Sequence, residues 1–229
     1  MKPGSSLTVR PADLTAPHLF AHTPGDLFWW VSNGRGNGVM PGFARIMSPA
    51  DRWDVINFVR ARAAGVLSRR AGPQVSTAAT AAIPDFAFEA HGQQQTLSSI
   101  LETGPALLAL FGRPPSPTRV AQLAAAQKQI APGLRILAVD LASASTPLET
   151  EALAPLVGVS ADVATTLALF HASDDGGETD LLLDRAGNLR ARWTRNGPDA
   201  LPEATALAAD AARVAQFPAA PISHAGHLH

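Results

Sequence analysis

The sequence predicts an α/β fold with a mixed sheet, preceded by an all-α segment. Three observations predict it. Two apolar runs, ALLALF (residues 106–111) and LRILAVDL (residues 134–141), read as buried strands, with helical signals between them. TDLLLDRAGNLRARW (residues 179–193) reads as two strands joined by the turn Ala186-Gly187-Asn188. Before Gly65, apolar residues recur at helical spacing only.

The elements follow in chain order. Thr23-Pro24-Gly25-Asp26 offers an N-cap, a proline at the first helical position and a carboxylate two residues later. Leu27, Trp30 and Val31 then share one face, and Asn33-Gly34 ends this first helix. NGRGNGVMPGF is a glycine-rich loop carrying Met40. Ser48-Pro49-Ala50-Asp51 repeats the start signal, Trp53, Ile56, Val59 and Ala63 form the stripe, and Gly65 is expected to stop the helix. Residues 66–83 are rich in small side chains without apolar periodicity and read as a linker. DFAFEA (residues 85–90) reads as a strand, and Ser116-Pro117 starts a helix carrying Val120, Leu123 and Ile130. A helical stretch is expected over residues 150–156 and a final amphipathic helix over residues 201–216. Four regions result: an all-α segment at 11–65, the linker at 66–83, an α/β domain at 84–217 and a His-containing tail at 218–229.

Composition removes whole classes of function. Of 229 residues, 46% are hydrophobic and 16% charged, enough apolar material for a packed core. The net charge of −1 supplies no basic field for phosphate backbones, so nucleic acid is not an expected partner. Cysteine is absent, which excludes disulfides, thiolate nucleophiles, zinc–thiolate sites and iron–sulfur clusters. No apolar run reaches the ~18 residues of a transmembrane helix. Lys2 is followed by no apolar stretch, so no signal peptide is expected. NGRGNGVM follows no strand and is not a phosphate loop. Asp174-Asp175 lacks the ligand spacing of a calcium loop, and Asp184 reads as turn chemistry. No nucleophile and base stand in a pattern that supports hydrolysis, so no enzymatic activity is expected.

Residues 23–61, TPGDLFWWVSNGRGNGVMPGFARIMSPADRWDVINFVRA, resemble the C-terminal half of a class I c-type cytochrome. In that family a Met-Pro before the last helix supplies the thioether axial ligand of haem c, and Met40-Pro41 matches it. The family also needs an upstream Cys-x-x-Cys-His. His18 and His22 precede the segment without flanking cysteines. The resemblance therefore implies a haem role for Met40 only where an upstream attachment segment exists. It also implies that Trp29, Trp30 or Trp53 stands exposed, leaving an apolar surface that packs on the second domain or self-associates.

PDFAFEAHGQQQTLSSI, GPALLALFGRPPSPTR, LRILAVDL and TDLLLDRAGNLRARW resemble a thioredoxin-like domain of the thiol-peroxidase and copper-chaperone type. Counting from Phe111, Ser116-Pro117-Thr118-Arg119 occupies the place of that family's Cys-x-x-Cys, with Ser116 as a helix cap. Glu178-Thr179-Asp180 stands where the family has a cis-proline. His171 lies near the position of a metal-binding histidine in copper chaperones of this fold, which also use two cysteines.

The two halves together resemble the soluble C-terminal part of bacterial copper-resistance fusions of the CopD type. That implies a periplasmic location, copper handling or electron transfer, and a fused or associated membrane copper-transport domain or redox partner. The second reading is a protein-interaction scaffold without haem or metal. In the tail, His224, His227 and His229 are spaced by three and two residues, so their imidazoles can converge on one copper ion.

Overall fold

The computed structural model describes residues 11–78, 81–90, 92–130, 133–142, 156–171, 177–195 and 203–218. The chain divides between Ala63 and Ala64 into two compact units.

In the first unit, a 3-10 turn (Pro17–Ala21) precedes helix α1 (Pro24–Asn33). Its start is a capping box. The Asp26 N–H donates to the Thr23 hydroxyl at 3.1 Å, and the Thr23 N–H donates to the Asp26 carboxylate at 2.9 Å. The chain turns back at Gly34, where φ is +84°. A Cβ there would lie 2.4 Å from the Met40 carbonyl, so only glycine admits the turn. Strands β1 (Gly34–Arg35) and β2 (Met40–Pro41) pair antiparallel, with Arg35 opposite Met40. The Phe43 N–H then donates to the Val31 carbonyl at 2.8 Å, fastening the loop to the end of α1. Helix α2 (Pro49–Ser68) opens on the same box, built from Ser48 and Asp51. Leu19, Leu27, Ile56 and Ala63 form this unit's buried core.

Gly65 does not stop α2, which runs on to Ser68. A Cβ on Gly65 would lie 2.3 Å from the Leu169 carbonyl. The glycine is there for close backbone approach inside the second unit rather than for termination.

The expected linker is not slack. The Arg192 N–H donates to the Gly72 carbonyl at 2.9 Å, and the Ser76 N–H to the Arg190 carbonyl at 2.8 Å. The Leu189 N–H donates to Ala81 at 2.8 Å, and the Ile83 N–H to Gly187 at 2.9 Å. This stretch covers a sheet edge that would otherwise expose unpaired backbone groups.

The second unit then runs β3 (Ala87–Ala90), β4 (Gln93–Thr96), α3 (Leu97–Leu101), β5 (Ala106–Phe111), α4 (Pro117–Ile130), β6 (Arg135–Asp140), β7 (Leu156–Val157), α5 (Ala161–Ala168), β8 (Glu178–Leu183), β9 (Leu189–Arg195) and α6 (Ala204–Val214). β3 and β4 form a separate hairpin. The main sheet has the order β7-β6-β5-β8-β9. β5 is parallel to β6 and antiparallel to β8, and β8 is antiparallel to β9. A parallel β5-α4-β6 unit beside an antiparallel β8–β9 hairpin closed by α6 is the thioredoxin-like arrangement. Leu107, Ala109, Phe111, Ile136, Ala138 and Leu182 pack under Leu123 and Ala126 of α4 and Leu207 and Ala211 of α6. The alternate positions Leu108, Leu110, Val139 and Leu181 are buried too, which explains why these strands read as continuous apolar runs. The helix expected over 150–156 lies mostly outside the described residues, and its last residue, Leu156, belongs to β7.

Candidate functional site

The site lies where β5 gives way to α4. Every residue of β5 is buried, and the strand runs between β6 and β8. Phe111, at its carboxyl end, stands opposite Asp140 of β6 and Glu178 of β8. In-register neighbours share a face, so Asp140, Phe111 and Glu178 lie on the side covered by α4.

Ser116 precedes the first residue of α4. It accepts the Arg119 N–H on its hydroxyl oxygen at 3.2 Å, capping α4 as expected from Ser116-Pro117. Arg119 stands in the first turn of α4. The residue is only 7% exposed. Nε donates to both Glu178 carboxylate oxygens at 2.9 and 3.0 Å, and Nη2 also donates to Oε1. Nη2 lies 3.6 Å from the Asp180 carboxylate, one strand pleat further along β8. Arg119 Nη1 is buried and has no acceptor among the described residues. Asp140 accepts the Ala142 N–H at 2.9 Å on one oxygen, while its other oxygen is buried without a donor among the described residues.

His171 follows α5. Its Nε2 lies 2.7 Å from the Gly177 carbonyl, which also accepts the Gly112 N–H at 3.2 Å. The imidazole is thus tied into the loop ahead of α4. Among the described residues, no group of three His, Asp or Glu side chains is placed to hold a metal ion. The set can position charge and fix a helix to a strand. It offers no thiolate for disulfide exchange.

Elsewhere in the second unit, Asp184 is an internal hub. It accepts N–H groups from Ala186 and Asn188 at 2.8 and 3.0 Å and the Arg190 guanidinium at 2.7 Å. The turn reading of Asp184 holds. Arg192 and Arg69 donate to consecutive carbonyls, Phe170 and Leu169, at the end of α5. Burial first, and the Arg69 charge second, hold the Arg192 pKa below its usual value. Two cations on a helix C-terminus suit its negative dipole end.

In the first unit, Met40 is half-buried in the short β1–β2 pair. His22 meets Trp30 edge-on with centroids 4.6 Å apart, and His18 is exposed. Trp29 and Trp53 are exposed as expected, while Trp30 is half-buried under the Arg35 guanidinium, 3.9 Å from its ring centre. His224, His227 and His229 lie outside the described residues, as do Asp174 and Asp175.

The sequence reading of Ser116 as a cap of α4 agrees with the structure, but it missed what Arg119 does. The signal was present in ETDLLL, where Glu178 and Asp180 put two carboxylates on one face of an otherwise apolar strand. A buried cation opposite them was required.

No protein-family model and no curated protein matches this chain. Among solved structures, it is similar to BsSco, a member of the Sco family of cytochrome c oxidase assembly proteins. That match has 16% identity and a TM-score of 0.42, covering 60% of this chain and 95% of that one. It is similar to Arabidopsis thaliana ScoI, solved with copper bound, at 14% identity and a TM-score of 0.40, covering 57% and 96%. It is also similar to a yeast mitochondrial 1-Cys peroxiredoxin at 13% identity and a TM-score of 0.44, covering 56% and 72%. These are likenesses of shape, and the assignment to a thioredoxin-like fold rests on the strand order itself.

Proposed function

We propose that this chain is a non-catalytic, redox-inactive thioredoxin-like module joined to the C-terminal half of a cytochrome c segment, serving periplasmic copper handling or electron transfer. The observation that supports the first part is the occupation of the dithiol positions. Ser116 is used up as a helix cap, and Arg119 is buried against Glu178. A thiol-exchange centre needs a thiolate; Ser116 is exposed but offers only a hydroxyl, and Arg119 is buried.

The haem part rests on Met40. Its backbone is held by pairing with Arg35 and by the turn at Gly34. This chain offers the thioether but no cysteine for covalent attachment. Haem c therefore enters only in a form with an upstream Cys-x-x-Cys-His, where it would carry the electron. Copper would be held by His224, His227 and His229. The membrane copper-transport domain or redox partner stays part of the same proposal. The alternative is a thioredoxin-like scaffold that binds a partner protein with neither haem nor metal.

Two measurements separate these readings. The coding sequence upstream of Met1 is read, and the longest form is expressed with haem-maturation machinery. A Soret band whose axial-ligand signature changes in Met40→Ala supports the haem reading. No upstream motif and no Soret band refutes it. Copper binding is followed by calorimetry on the full chain and on a chain lacking residues 221–229. The expected result is loss of Cu(II) affinity with the tail; unchanged affinity removes the tail from the proposal.

A further inference from the structure

An asparagine side chain attacks its own main chain most readily where glycine follows, because glycine sets no Cβ beside the amide nitrogen that must react. The segment between α1 and β2 holds two such pairs, Asn33-Gly34 and Asn37-Gly38. Their surroundings are opposite. Asn33-Gly34 is held at both reacting groups. The Asn33 side-chain amide donates to the Trp29 carbonyl at 3.0 Å. The Gly34 N–H, whose nitrogen would have to attack, donates to the Trp30 carbonyl at the end of α1. Gly34 is also buried, with the Met40 carbonyl and the Gly42 nitrogen packed against it.

Asn37-Gly38 is held at neither. Both residues are exposed. Among the described residues, neither the Asn37 side chain nor the Gly38 N–H has a hydrogen-bond partner. Asn37 stands at φ +52° and Gly38 at φ +92°, left-handed positions that asparagine and glycine accept. Nothing lies within 4 Å of the place a Gly38 Cβ would take. One exposed turn bond spans the pair, from the Val39 N–H to the Gly36 carbonyl at 3.1 Å. The Asn37–Gly38 peptide can therefore rotate into line with the Asn37 side chain without displacing a packed atom.

We infer that Asn37 is a site of spontaneous covalent modification, converting to aspartate and isoaspartate, and that Asn33 is protected from it by the fold. The Gly38 nitrogen gives up its proton to solvent base and attacks Asn37 Cγ. The new C–N bond closes a succinimide ring, the Cγ–Nδ2 bond breaks, and the nitrogen leaves as ammonia with a proton from solvent. Water then opens the ring. Addition at Cγ leaves aspartate, and addition at the Asn37 main-chain carbonyl leaves isoaspartate, whose main chain runs through Cγ. Only water is consumed, and nothing is oxidised or reduced. Either product sets a carboxylate two residues from Arg35, whose guanidinium lies over Trp30. Isoaspartate also adds one main-chain atom to the short turn joining β1 to β2, the pair that fixes Arg35 opposite Met40. The inference is independent of the haem and copper readings, which concern the Met40 side chain and the tail.

The test incubates the full chain at neutral and at mildly alkaline pH and then digests it with trypsin. Cleavage after Arg35 and Arg45 puts Asn33 and Asn37 on different peptides, and cleavage after Arg195 separates Asn196-Gly197, which lies outside the described residues. Mass spectrometry reads the gain of one mass unit on each peptide. Methylation by an isoaspartyl carboxyl methyltransferase with labelled S-adenosylmethionine reads isoaspartate. In the native chain Asn37 should convert about tenfold or more faster than Asn33, the margin set by the two hydrogen bonds that Asn33-Gly34 must first open. Conversion should quicken with pH, and Asn37→Gln should abolish it on the peptide spanning residues 36–45. In concentrated guanidinium Asn33 and Asn37 should convert at similar rates, because the protection of Asn33 is lost with the fold. Asn33 converting as fast as Asn37 in the native chain overturns the inference. So does an Asn37 that keeps its amide in the native chain while losing it in guanidinium, or an Asn33 whose rate guanidinium leaves unchanged.

Discussion

Replacing Arg119 by methionine tests the reading of the dithiol site most directly. The substitution keeps an unbranched chain of similar reach and removes the guanidinium. Glu178 is 7% exposed, and its carboxylate is partnered in the described structure by Arg119 alone. The variant therefore leaves a buried carboxylate without its counter-charge. Breaking a buried pair in this way costs about 3–5 kcal/mol, well above the 0–1 kcal/mol of a surface pair. Because the chain has two units, a global denaturation curve would mix their responses. Hydrogen exchange of the β5 and β8 amides isolates the affected unit. Exchange there should accelerate roughly a hundredfold to several thousandfold. The double variant Arg119→Met with Glu178→Gln should recover much of the loss, because the uncompensated charge is gone. A loss below about 1 kcal/mol would refute the reasoning. The pair would then behave as a solvated surface contact, and the helix–strand tie inferred from it would fail.

Three further predictions concern local geometry. Gly65→Ala should destabilise the second unit by about 1–3 kcal/mol, because the new Cβ meets the Leu169 carbonyl at 2.3 Å. In an unobstructed helix interior the same change stabilises, so the sign of the change in hydrogen-exchange protection of the β5 and β8 amides decides the matter. Gly34→Ala should also destabilise, through positive φ and a clash with the Met40 carbonyl, and the loss of the loop's backbone protection in hydrogen exchange checks it. The Asp51 carboxyl is held below its usual pKa, first by the Ser48 hydroxyl and then by the Ser48 N–H. A depressed folded-state pKa contributes stability above the unfolded value and loses it as pH falls through the folded one. Ser48→Ala should therefore move the Asp51 titration upward by NMR; an unmoved midpoint would show that the hydroxyl bond is absent in solution.

The parts legible in the sequence were those governed by local chemistry. The caps at Thr23 and Ser48 formed as read, because a cap is closed by residues three apart. The strands β5 and β6 were legible because burial on both faces leaves only apolar residues. The failures have non-local causes. Gly65 has the composition of a helix stop, and only the fold shows another backbone lying on it. Residues 71–78 and 81–83 carry no periodicity because they bind β9 through backbone groups, which any side chain permits. Arg119 and Glu178 are 59 positions apart, and no spacing rule joins them until β5 and β8 are known to be neighbours.

What closes this end of the sheet also bears on function. Gly112 and His171 both reach the Gly177 carbonyl, and Arg119 grips Glu178 in the next residue. The loop ahead of α4, the end of α5 and the first turn of α4 are thus all tied to the start of β8. An exchange centre needs its sulfur reachable by an incoming disulfide, and a catalytic base needs room for substrate. Here Arg119 and Glu178 form a buried ion pair whose desolvation an apolar pair would have avoided. Stability alone does not account for that choice. A fixed register between α4 and β8 does, since Arg119 must find one carboxylate at one height on the strand.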